Sequence, residues 1–327
     1  MLEGKDLILA TRKYAVEDKA KSWFHMLSSY SLLLLAFTLG ILSQNLLIKT
    51  GLAVLSGLMV VRVFVIYHDY LHKAILTDSR LARFLFYIFG LFILAPFSIW
   101  RRSHDYHHKH NSKLYTSSIG SFPIVTLEKY RKAGKGERRT YLFIRHPLTI
   151  CLGYIFAFVY GMCIRSISAS FKKHWDSALA LLFHFGLAWM IYWGFGLSTV
   201  LISFFLPLFI ACGMGSYLFY AQHNFPSVRF TEKEDWSYTE AALKSSSMMD
   251  MNPLMRFFTA NIGYHHIHHV NARIPFYRLP EVYRDMAEFQ DPGRTSLSFK
   301  DVMACFRLKV WDPKLGRMIG HRELSLS

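Results

Sequence analysis

The sequence predicts an all-α membrane protein with four transmembrane helices in two hairpins, additional re-entrant or interfacial helices, and a cytoplasmic helical cap. Three observations predict this fold class. Hydrophobic residues make up 52% of the 327 residues, more than an ordinary soluble domain needs. Six nearly uncharged runs approach the length of about 20 residues that crosses a bilayer as a helix. The chain also has 16 histidines, which concentrate in short clusters outside those runs.

The N-terminal part of the chain predicts the first hairpin. Two apolar runs, residues 31–48 and 51–67, are separated by a short polar gap. The residues before them are rich in basic side chains: Lys5, Arg12, Lys13, Lys19 and Lys21, with Glu17 and Asp18 in between. Because basic flanks stay in the cytoplasm and no small-residue cleavage site follows the first run, we expect an uncleaved first helix. Residues 1–30 then form a cytoplasmic N-terminal segment.

The other apolar runs are assigned from the histidine clusters at residues 68–72, 104–108 and 265–269. Histidines that share one metal centre must lie on one side of the membrane, so an even number of spans separates successive clusters. We therefore expect the run at 84–100 to be re-entrant or interfacial, with Gly90 and Pro96 at a break. The run at 148–164 is expected at the cytoplasmic surface, because a basic stretch follows it.

The second hairpin then consists of the runs at 178–197 and 198–220. This topology places residues 68–177 and 221–327 in a cytoplasmic cap, with both termini on the cytoplasmic side. We expect a single membrane domain over residues 31–285 and a cytoplasmic C-terminal tail over residues 286–327.

The formal net charge of +16 has two interpretations. Cytoplasmic loops of membrane proteins accumulate Lys and Arg, and this topological origin is the preferred one. The alternative is a docking surface for an acidic redox partner or for anionic lipid headgroups. We expect no nucleic-acid partner. The four cysteines are isolated along the chain, which predicts neither a disulfide nor a CxxC metal site.

The histidine clusters predict a metal centre. They read HDYLH, HDYHH and HHIHH, and spacings of three and four residues place imidazoles on one face of a helix. Buried imidazoles must be neutral and hydrogen-bonded or must bind a metal, and three clusters imply more than one metal ion. Imidazole suits iron, copper, zinc or nickel. The chain has no Glu-x-x-His motif, so an all-nitrogen site is favoured over a carboxylate-bridged one.

Polar residues next to the clusters are candidates to orient the imidazoles. Asp69 and Asp105 each follow the first histidine of a cluster, and a carboxylate that accepts from an imidazole N–H fixes the tautomer that binds a metal. A solvated turn position is the competing interpretation for both. Asn111 and Asn261 are weaker candidates for the same role.

The motifs HDYLH, HDYHH, QHNF at 222–225 and NIGYHHIHH at 261–269 resemble the histidine boxes of the integral-membrane fatty-acid desaturases. The stretch at 261–281, NIGYHHIHHVNARIPFYRLPE, is especially similar to acyl-lipid desaturases of the delta-12 or omega-6 type. The resemblance covers roughly residues 30–285. It implies a di-iron centre that uses O2 and two electrons to introduce a cis double bond into a long acyl chain, which is either linked to a lipid, the preferred case, or carried on coenzyme A.

The resemblance also implies which residues bind the two iron ions. Carried over box by box, the implied ligands are His68, His72, His104, His107, His108, His223, His265, His268 and His269. The chain has no HPGG haem motif, no dinucleotide-binding glycine motif and no four-cysteine cluster motif. A separate electron donor is therefore expected, which in this family is ferredoxin or cytochrome b5.

The chain departs from the family pattern at three places near the boxes, one of which is the additional KHN at residues 109–111 after the second box. Leu71 precedes the second histidine of the first box, where plant-type delta-12 enzymes have glycine. Phe219 stands one helical turn before His223, where related enzymes have an asparagine that holds a metal-bound water. A different water or Asn224 is a candidate to serve instead. His110, His184 and His266 are left outside the ligand set, and His184 is expected to form hydrogen bonds between helices.

Three other functions compete with desaturation. A sister di-iron enzyme that hydroxylates or ketolates a lipid or carotenoid would use the same boxes. A metal transporter would place its ligands within the spans, whereas these histidines lie outside them. A non-enzymatic lipid-binding protein would have no use for nine convergent imidazoles.

Two arginines lie beside the second box. Arg101 and Arg102 are candidates either to bind a lipid phosphate or to anchor the protein at the membrane.

Overall fold

The computed structural model describes residues 2–114, 119–231 and 234–326, and most of them are helical. The N-terminal part contains the short helix α1 (Gly4–Ala10), a 3₁₀ turn (Thr11–Tyr14), and the long apolar helices α2 (Lys19–Leu42) and α3 (Leu46–Leu71). Asp18 and Asn45 cap the two long helices by accepting from backbone N–H groups of their first turns. Helices α2 and α3 pack against each other. Because its cap is Asp18, α2 begins before the apolar run at residue 31.

The predicted interruption of the run at 84–100 is present. Helix α4 (Arg80–Phe92) and helix α5 (Phe97–Lys109) are bent by 90° relative to each other, the geometry of a broken span or a re-entrant loop. The break lies at residues 93–96, where Leu94 has a φ of 60° and Pro96 precedes α5. Gly90 lies inside α4 and not at the break, and a Cβ there would come within 3.0 Å of the Tyr67 hydroxyl.

The middle of the chain contains short helices around the apolar run at 148–164. These are α6 (Leu127–Lys132), α7 (Lys135–Ile144), α8 (Pro147–Cys151), a π-helix (Tyr154–Ile164) and α9 (Arg165–Ala169). The continuous apolar part, Tyr154–Ala169, is shorter than the long helices. An interfacial position for this segment stays a prediction.

The last apolar region consists of α10 (Trp175–Thr199), a π-helix (Val200–Phe205) and α11 (Leu206–Ala221). Gly196, with φ 81° and ψ 174°, interrupts the helical geometry one residue before the predicted boundary between the two runs. Among the described residues, three helical stretches are long and apolar enough to cross a membrane, or four if the bent pair counts as one span. The prediction of a mostly helical protein with several apolar helices of membrane-spanning length is confirmed. The arrangement of four spans in two hairpins stays a prediction.

The cap that carries the third histidine cluster has shorter elements. Its helices are α12 (Tyr238–Lys244), α13 (Pro253–Phe258), α14 (His265–Val270), α15 (Leu279–Asp285), α16 (Phe299–Arg307) and α17 (His321–Leu326), with 3₁₀ turns at Phe276–Arg278 and Ala287–Phe289. Its strands are β1 (Met248–Asp250), β2 (Arg294–Ser296), β3 (Leu308–Asp312) and β4 (Arg317–Gly320).

The strands correct the prediction of an all-α fold in one detail. Strand β1 pairs in parallel with β2, and β3 pairs antiparallel with β4. Strands of three to five residues are too short to produce a clear alternation of polar and apolar residues. The C-terminal residues contact the middle of the chain, because Trp311 N–H donates to the carbonyl of Val125 and Lys309 Nζ donates to that of Arg145.

Candidate metal centre

Nine buried or half-buried histidines converge in two groups at one end of the long helices. The first group contains His68, His72, His104, His108 and His268, and the second contains His107, His223, His265 and His269. Within each group the ring nitrogens that could bind a metal lie within 4.8 Å of one another. These are the nine residues that the resemblance implied as ligands, and the structure brings all of them together.

Four secondary-structure elements position the two groups. His68 lies in the last turn of α3 and His72 is its C-cap residue. Helix α5 presents three histidines from one buried face, and α14 presents three more from its six residues. His223 follows the C-terminal end of α11. Because α5 and α14 each contribute to both groups, the distance between the groups is set by how these two helices pack.

The imidazoles of the first group point Nε2 toward a common centre. His68 Nε2 lies 2.8 Å from His104 Nε2 and 3.2 Å from His72 Nε2. His108 Nε2 lies 3.1 Å from His104 Nε2 and 3.2 Å from His268 Nε2. Nitrogen lone pairs this close repel one another unless a proton or a cation lies between them.

The second group has the same geometry. His223 Nε2 lies 3.1 Å from His107 Nε2 and 3.0 Å from His265 Nε2, and His269 Nε2 lies 3.1 Å from His265 Nε2. His223 Nδ1 is placed 3.0 Å from the carbonyl of Ser245, which fixes the tautomer that leaves Nε2 free to bind a metal.

The electrostatics of the site favour neutral imidazoles. Burial lowers the pKa of His223 to about 4, although the hydrogen bond to Ser245 acts in the opposite direction. Burial also holds the pKa values of His265, His268 and His269 well below the usual value, and the neighbouring histidines lower these pKa values further. Neutral imidazole is the form that binds a metal. The neutral imidazoles of both groups are therefore suited to bind a transition metal.

Asp69 lies where it can orient the first group. It is buried, its Oδ1 lies 3.3 Å from His68 Nδ1, and its Oδ2 accepts from the Phe276 N–H at 2.7 Å. Asn261 supports the same segment from the other side, because its Nδ2 donates to the Phe276 carbonyl. Asp69 thus connects α3 to the segment after the third histidine box.

The structure does not bring Asp105 to the histidines. Asp105 is exposed on α5, on the side of the helix opposite His104 and His107, where it lines a surface groove. The two aspartates have the same sequence position relative to their boxes, but the rotation of each helix determines which of them faces inward. Asn111, the other weak candidate, donates to the Ala241 carbonyl and to Ser246 Oγ.

The histidines left outside the ligand set have other partners. His184 is placed between helices, with Nε2 2.7 Å from the Tyr154 hydroxyl and Nδ1 2.6 Å from the Phe92 carbonyl. His266 Nε2 lies 3.1 Å from the Phe289 carbonyl, and His110 stacks on Tyr106. His174, which lies outside the three clusters, is buried with its Nδ1 2.9 Å from the Ser98 hydroxyl.

Aromatic rings pack against both histidine groups. Trp100 stacks on His104 with centroids 5.0 Å apart and an interplanar angle of 14°. Phe219 packs against His107 at 4.9 Å, so the position of the family's asparagine is occupied by an apolar ring. Asn224 does not replace that amide, because its side chain is engaged by Arg145 and by the Cys305 carbonyl.

The buried Arg145 was missed by the sequence analysis. It is fully buried after α7 and donates to the carbonyls of Pro123 and Leu308, to the Tyr220 hydroxyl and to Asn224 Oδ1. Asn224 directly follows His223, so Arg145 ties the second histidine group to the C-terminal residues. In sequence, Arg145 is indistinguishable from the basic residues that flank apolar runs.

The protein has apolar helices long enough to span a membrane and two buried groups of imidazoles at the ends of these helices. These two features are typical of membrane proteins that bind metal ions through histidines. Comparison with known proteins gives the family. The fatty acid desaturase family model matches residues 45–300, and the chain belongs to this family. It is therefore an oxidoreductase, and the resemblance inferred from the histidine boxes is confirmed.

Individual relatives show the same family at low identity. The chain is 28% identical over 287 residues to a fatty acid desaturase of Bacillus subtilis, covering 86% of this chain and 80% of the relative. It is 24% identical over 301 residues to the sn-1 oleoyl-lipid 12-desaturase of Synechocystis, covering 89% and 83%. It is 25% identical over 236 residues to the sn-1 acyl-lipid omega-3 desaturase (ferredoxin) of Nostoc, covering 69% and 63%.

Proposed function

We propose that this protein is an O2-dependent acyl-lipid desaturase that introduces a cis double bond into a long acyl chain at a histidine-ligated di-iron centre. The observation that carries the proposal is the convergence of nine imidazoles in groups of five and four. Membership of the desaturase family supports it, and relatives named as acyl-lipid desaturases support a lipid-linked substrate.

The two histidine groups would each hold one iron ion. All nine candidate donors are imidazole nitrogens, a ligand set that suits iron as well as copper, zinc and nickel. Iron is proposed among these metals because the resemblance to the membrane desaturases implies a di-iron centre. When bound, such a centre supplies the oxidising power that removes two hydrogens from adjacent methylenes, with O2 as the oxidant and an external donor as the source of electrons.

The chain's own residues orient the ligands and exclude water. Asp69 would accept a hydrogen bond from His68 Nδ1–H and keep His68 Nε2 directed inward, and the Ser245 carbonyl would do the same for His223. Trp100 and Phe219 cover the histidines with apolar rings, which gives an acyl chain a dry surface near the site. The Tyr67 hydroxyl donates to the Ala95 carbonyl, so this ring is held in place rather than free to bind substrate.

We also propose that the histidine groups and both termini lie on the cytoplasmic side, and that a separate carrier delivers the electrons. The histidines lie at the C-terminal ends of α3 and α11, opposite the turn between α2 and α3. A ferredoxin is the preferred donor because the Nostoc relative is named as ferredoxin-dependent, and cytochrome b5 is the alternative. The net charge of +16 suits an acidic carrier.

The test is a fatty-acid profile of cells that express the chain beside cells that express His268→Ala. The profile is measured by mass spectrometry with localisation of double bonds. We expect a new cis-unsaturated acyl species only with the unsubstituted chain, and the phospholipid or thioester fraction that contains it identifies the acyl carrier. Hydroxylated or ketone products in its place would support the sister di-iron enzymes and overturn desaturation.

A further inference from the structure

A surface groove of 440 Å³ lies on the side of α5 that faces away from the histidines. Its lining comes from α4, α5 and the start of α10: Arg83, Tyr87, Phe97, Ser98, Arg101, Arg102, Asp105 and Asp176. The buried side of α5 carries Trp100 and the histidines of the second box. The groove is therefore a separate site, one helix away from the candidate metal centre.

Three guanidinium groups face this groove. Arg83, Arg101 and Arg102 are exposed, and none of them forms an ion pair within the part of the chain that the structure describes. Lys173 adds a further positive charge nearby. Burial lowers the pKa of His174, Arg102 and Lys173 lie close enough to lower this pKa further, and Asp176 acts in the opposite direction.

Two carboxylates line the groove, and one of them is already engaged. Asp176 is buried, and it accepts from the backbone N–H of Ser98 at 3.0 Å and from its hydroxyl at 2.5 Å. Its charge is therefore directed at the N-terminal turn of α5, where the helix dipole stabilises it. Asp105 is exposed at the rim. The groove is left with an excess of positive charge.

The residues beside the groove have the composition of a segment at a membrane surface. Asp176 is the second residue of α10, which begins the long apolar stretch Trp175–Ala221. The neighbouring Trp175 is 55% exposed, and indole rings concentrate at the boundary between lipid and water. On α4, Leu81 and Phe84 flank Arg83 and are 56% and 60% exposed, the composition of a helix that lies in the interface with its basic side chains at headgroup depth.

We propose that this groove binds the phosphate of an anionic phospholipid headgroup from the surrounding membrane. Guanidinium groups bind phosphate oxygens through paired hydrogen bonds, and three of them converge here from two helices. The volume suits a small polar group, whereas a protein partner would need about 800 Å² of surface on each side. The proposal does not depend on the proposed catalytic function.

The test is lipid retention by the purified, delipidated full-length chain, measured by native mass spectrometry during titration with dioleoyl phosphatidylglycerol. The double variant Arg101→Gln/Arg102→Gln removes two guanidiniums from α5, and Arg83→Gln removes the third from α4. We expect the double variant to retain the lipid roughly tenfold or more weakly than the unsubstituted chain, and Arg83→Gln to weaken retention by a smaller factor.

The matched control is Arg131→Gln/Arg139→Gln, which makes the same charge change at two exposed helical positions on α6 and α7. Its lipid retention should equal that of the unsubstituted chain, and equal losses in both double variants would overturn the proposal. Retention of dioleoylglycerol as strong as that of phosphatidylglycerol would also overturn it, because dioleoylglycerol has no phosphate.

Two further measurements separate lipid from other anionic partners. Displacement of phosphatidylglycerol by millimolar inorganic phosphate would show that the groove binds soluble phosphate rather than a lipid headgroup, and it would overturn the proposal. Loss of binding to an acidic ferredoxin in the Arg101→Gln/Arg102→Gln variant, with unchanged lipid retention, would assign the groove to the redox partner instead. Folding of each variant is checked by its elution in size-exclusion chromatography.

Discussion

His108 and His269 stack face to face with ring centroids 4.2 Å apart and an interplanar angle of 14°, although they belong to different histidine groups. His108 comes from α5 and His269 from α14. This stack joins the two groups into one unit. A shift of either helix would change both groups and the distance between them, so the two candidate metal sites are expected to depend on each other.

The difference in ligand number between the groups predicts a difference in metal content. His72→Ala leaves four histidines in the first group, whereas His265→Ala leaves three in the second. We expect His265→Ala to lose about one iron per chain and His72→Ala to lose less, because the larger set tolerates removal of a donor better. The measurement is iron per protein by plasma mass spectrometry. Equal losses in the two variants would contradict the division into five and four.

Two adjacent histidines separate ligand loss from simple destabilisation. His268→Ala removes a candidate ligand and is expected to abolish turnover and reduce iron content. His266→Ala removes a buried ring that contacts the Phe289 carbonyl, so it is expected to cost about 1–3 kcal/mol of stability while iron binding is kept. Thermal unfolding and iron content are measured on both variants. An iron-free His266→Ala protein would show that the third box was assigned incorrectly.

The contact between Asp69 and His68 predicts an effect on metal affinity. Asp69→Asn keeps one side-chain acceptor but cannot serve both His68 Nδ1 and the Phe276 N–H. Loss of a partner that orients a metal-binding histidine typically lowers metal affinity by about 10–100-fold. Asp105→Asn is the control, since Asp105 has the same position in its box but is exposed. Competition with a chelator gives the affinities, and similar values for both variants would contradict an orienting role.

Arg145 is predicted to stabilise the second group from outside it. Arg145→Met would remove the donor to the Pro123 carbonyl and to Asn224 Oδ1, whereas the Leu308 carbonyl would keep the Tyr220 hydroxyl, and we expect a cost of about 2–4 kcal/mol. Arg145→Lys is expected to recover little of the lost stability, because one ammonium group cannot reproduce the hydrogen bonds of the planar guanidinium group. Thermal unfolding and iron content are compared with those of Arg139→Met, an exposed arginine of α7. Unchanged iron content in Arg145→Met would show that the hydrogen bonds of Arg145 do not support metal binding by His223.

The basic character of the chain predicts salt-sensitive electron delivery. With a net charge of +16, docking of an acidic carrier should slow as ionic strength rises, because exposed charges are screened beyond about 8 Å at physiological salt. Turnover with a ferredoxin is measured from low to high salt, and turnover with a small uncharged reductant is the control. A rate with ferredoxin that does not change with salt would rule out electrostatic steering.

Several features of this protein were determined by the sequence alone. The apolar runs indicated helices of membrane-spanning length, because hydrophobic length is a local property of the chain. The break before the second histidine box was also predictable, since Pro96 cannot continue a helix. The histidine boxes pointed to a metal and a family because imidazoles three and four residues apart share one helical face.

Other features depend on how distant segments pack, and only the tertiary structure decided them. The partition of the histidines into groups of five and four depends on the rotation of α5 and α14, which lie more than a hundred residues apart. The rotations of α3 and α5 likewise turn Asp69 inward and Asp105 outward, although their local sequences match. The role of Arg145 and the arginine groove depend on contacts between elements remote in sequence. Local patterns fix which residues share a helical face, whereas packing free energy determines what that face meets.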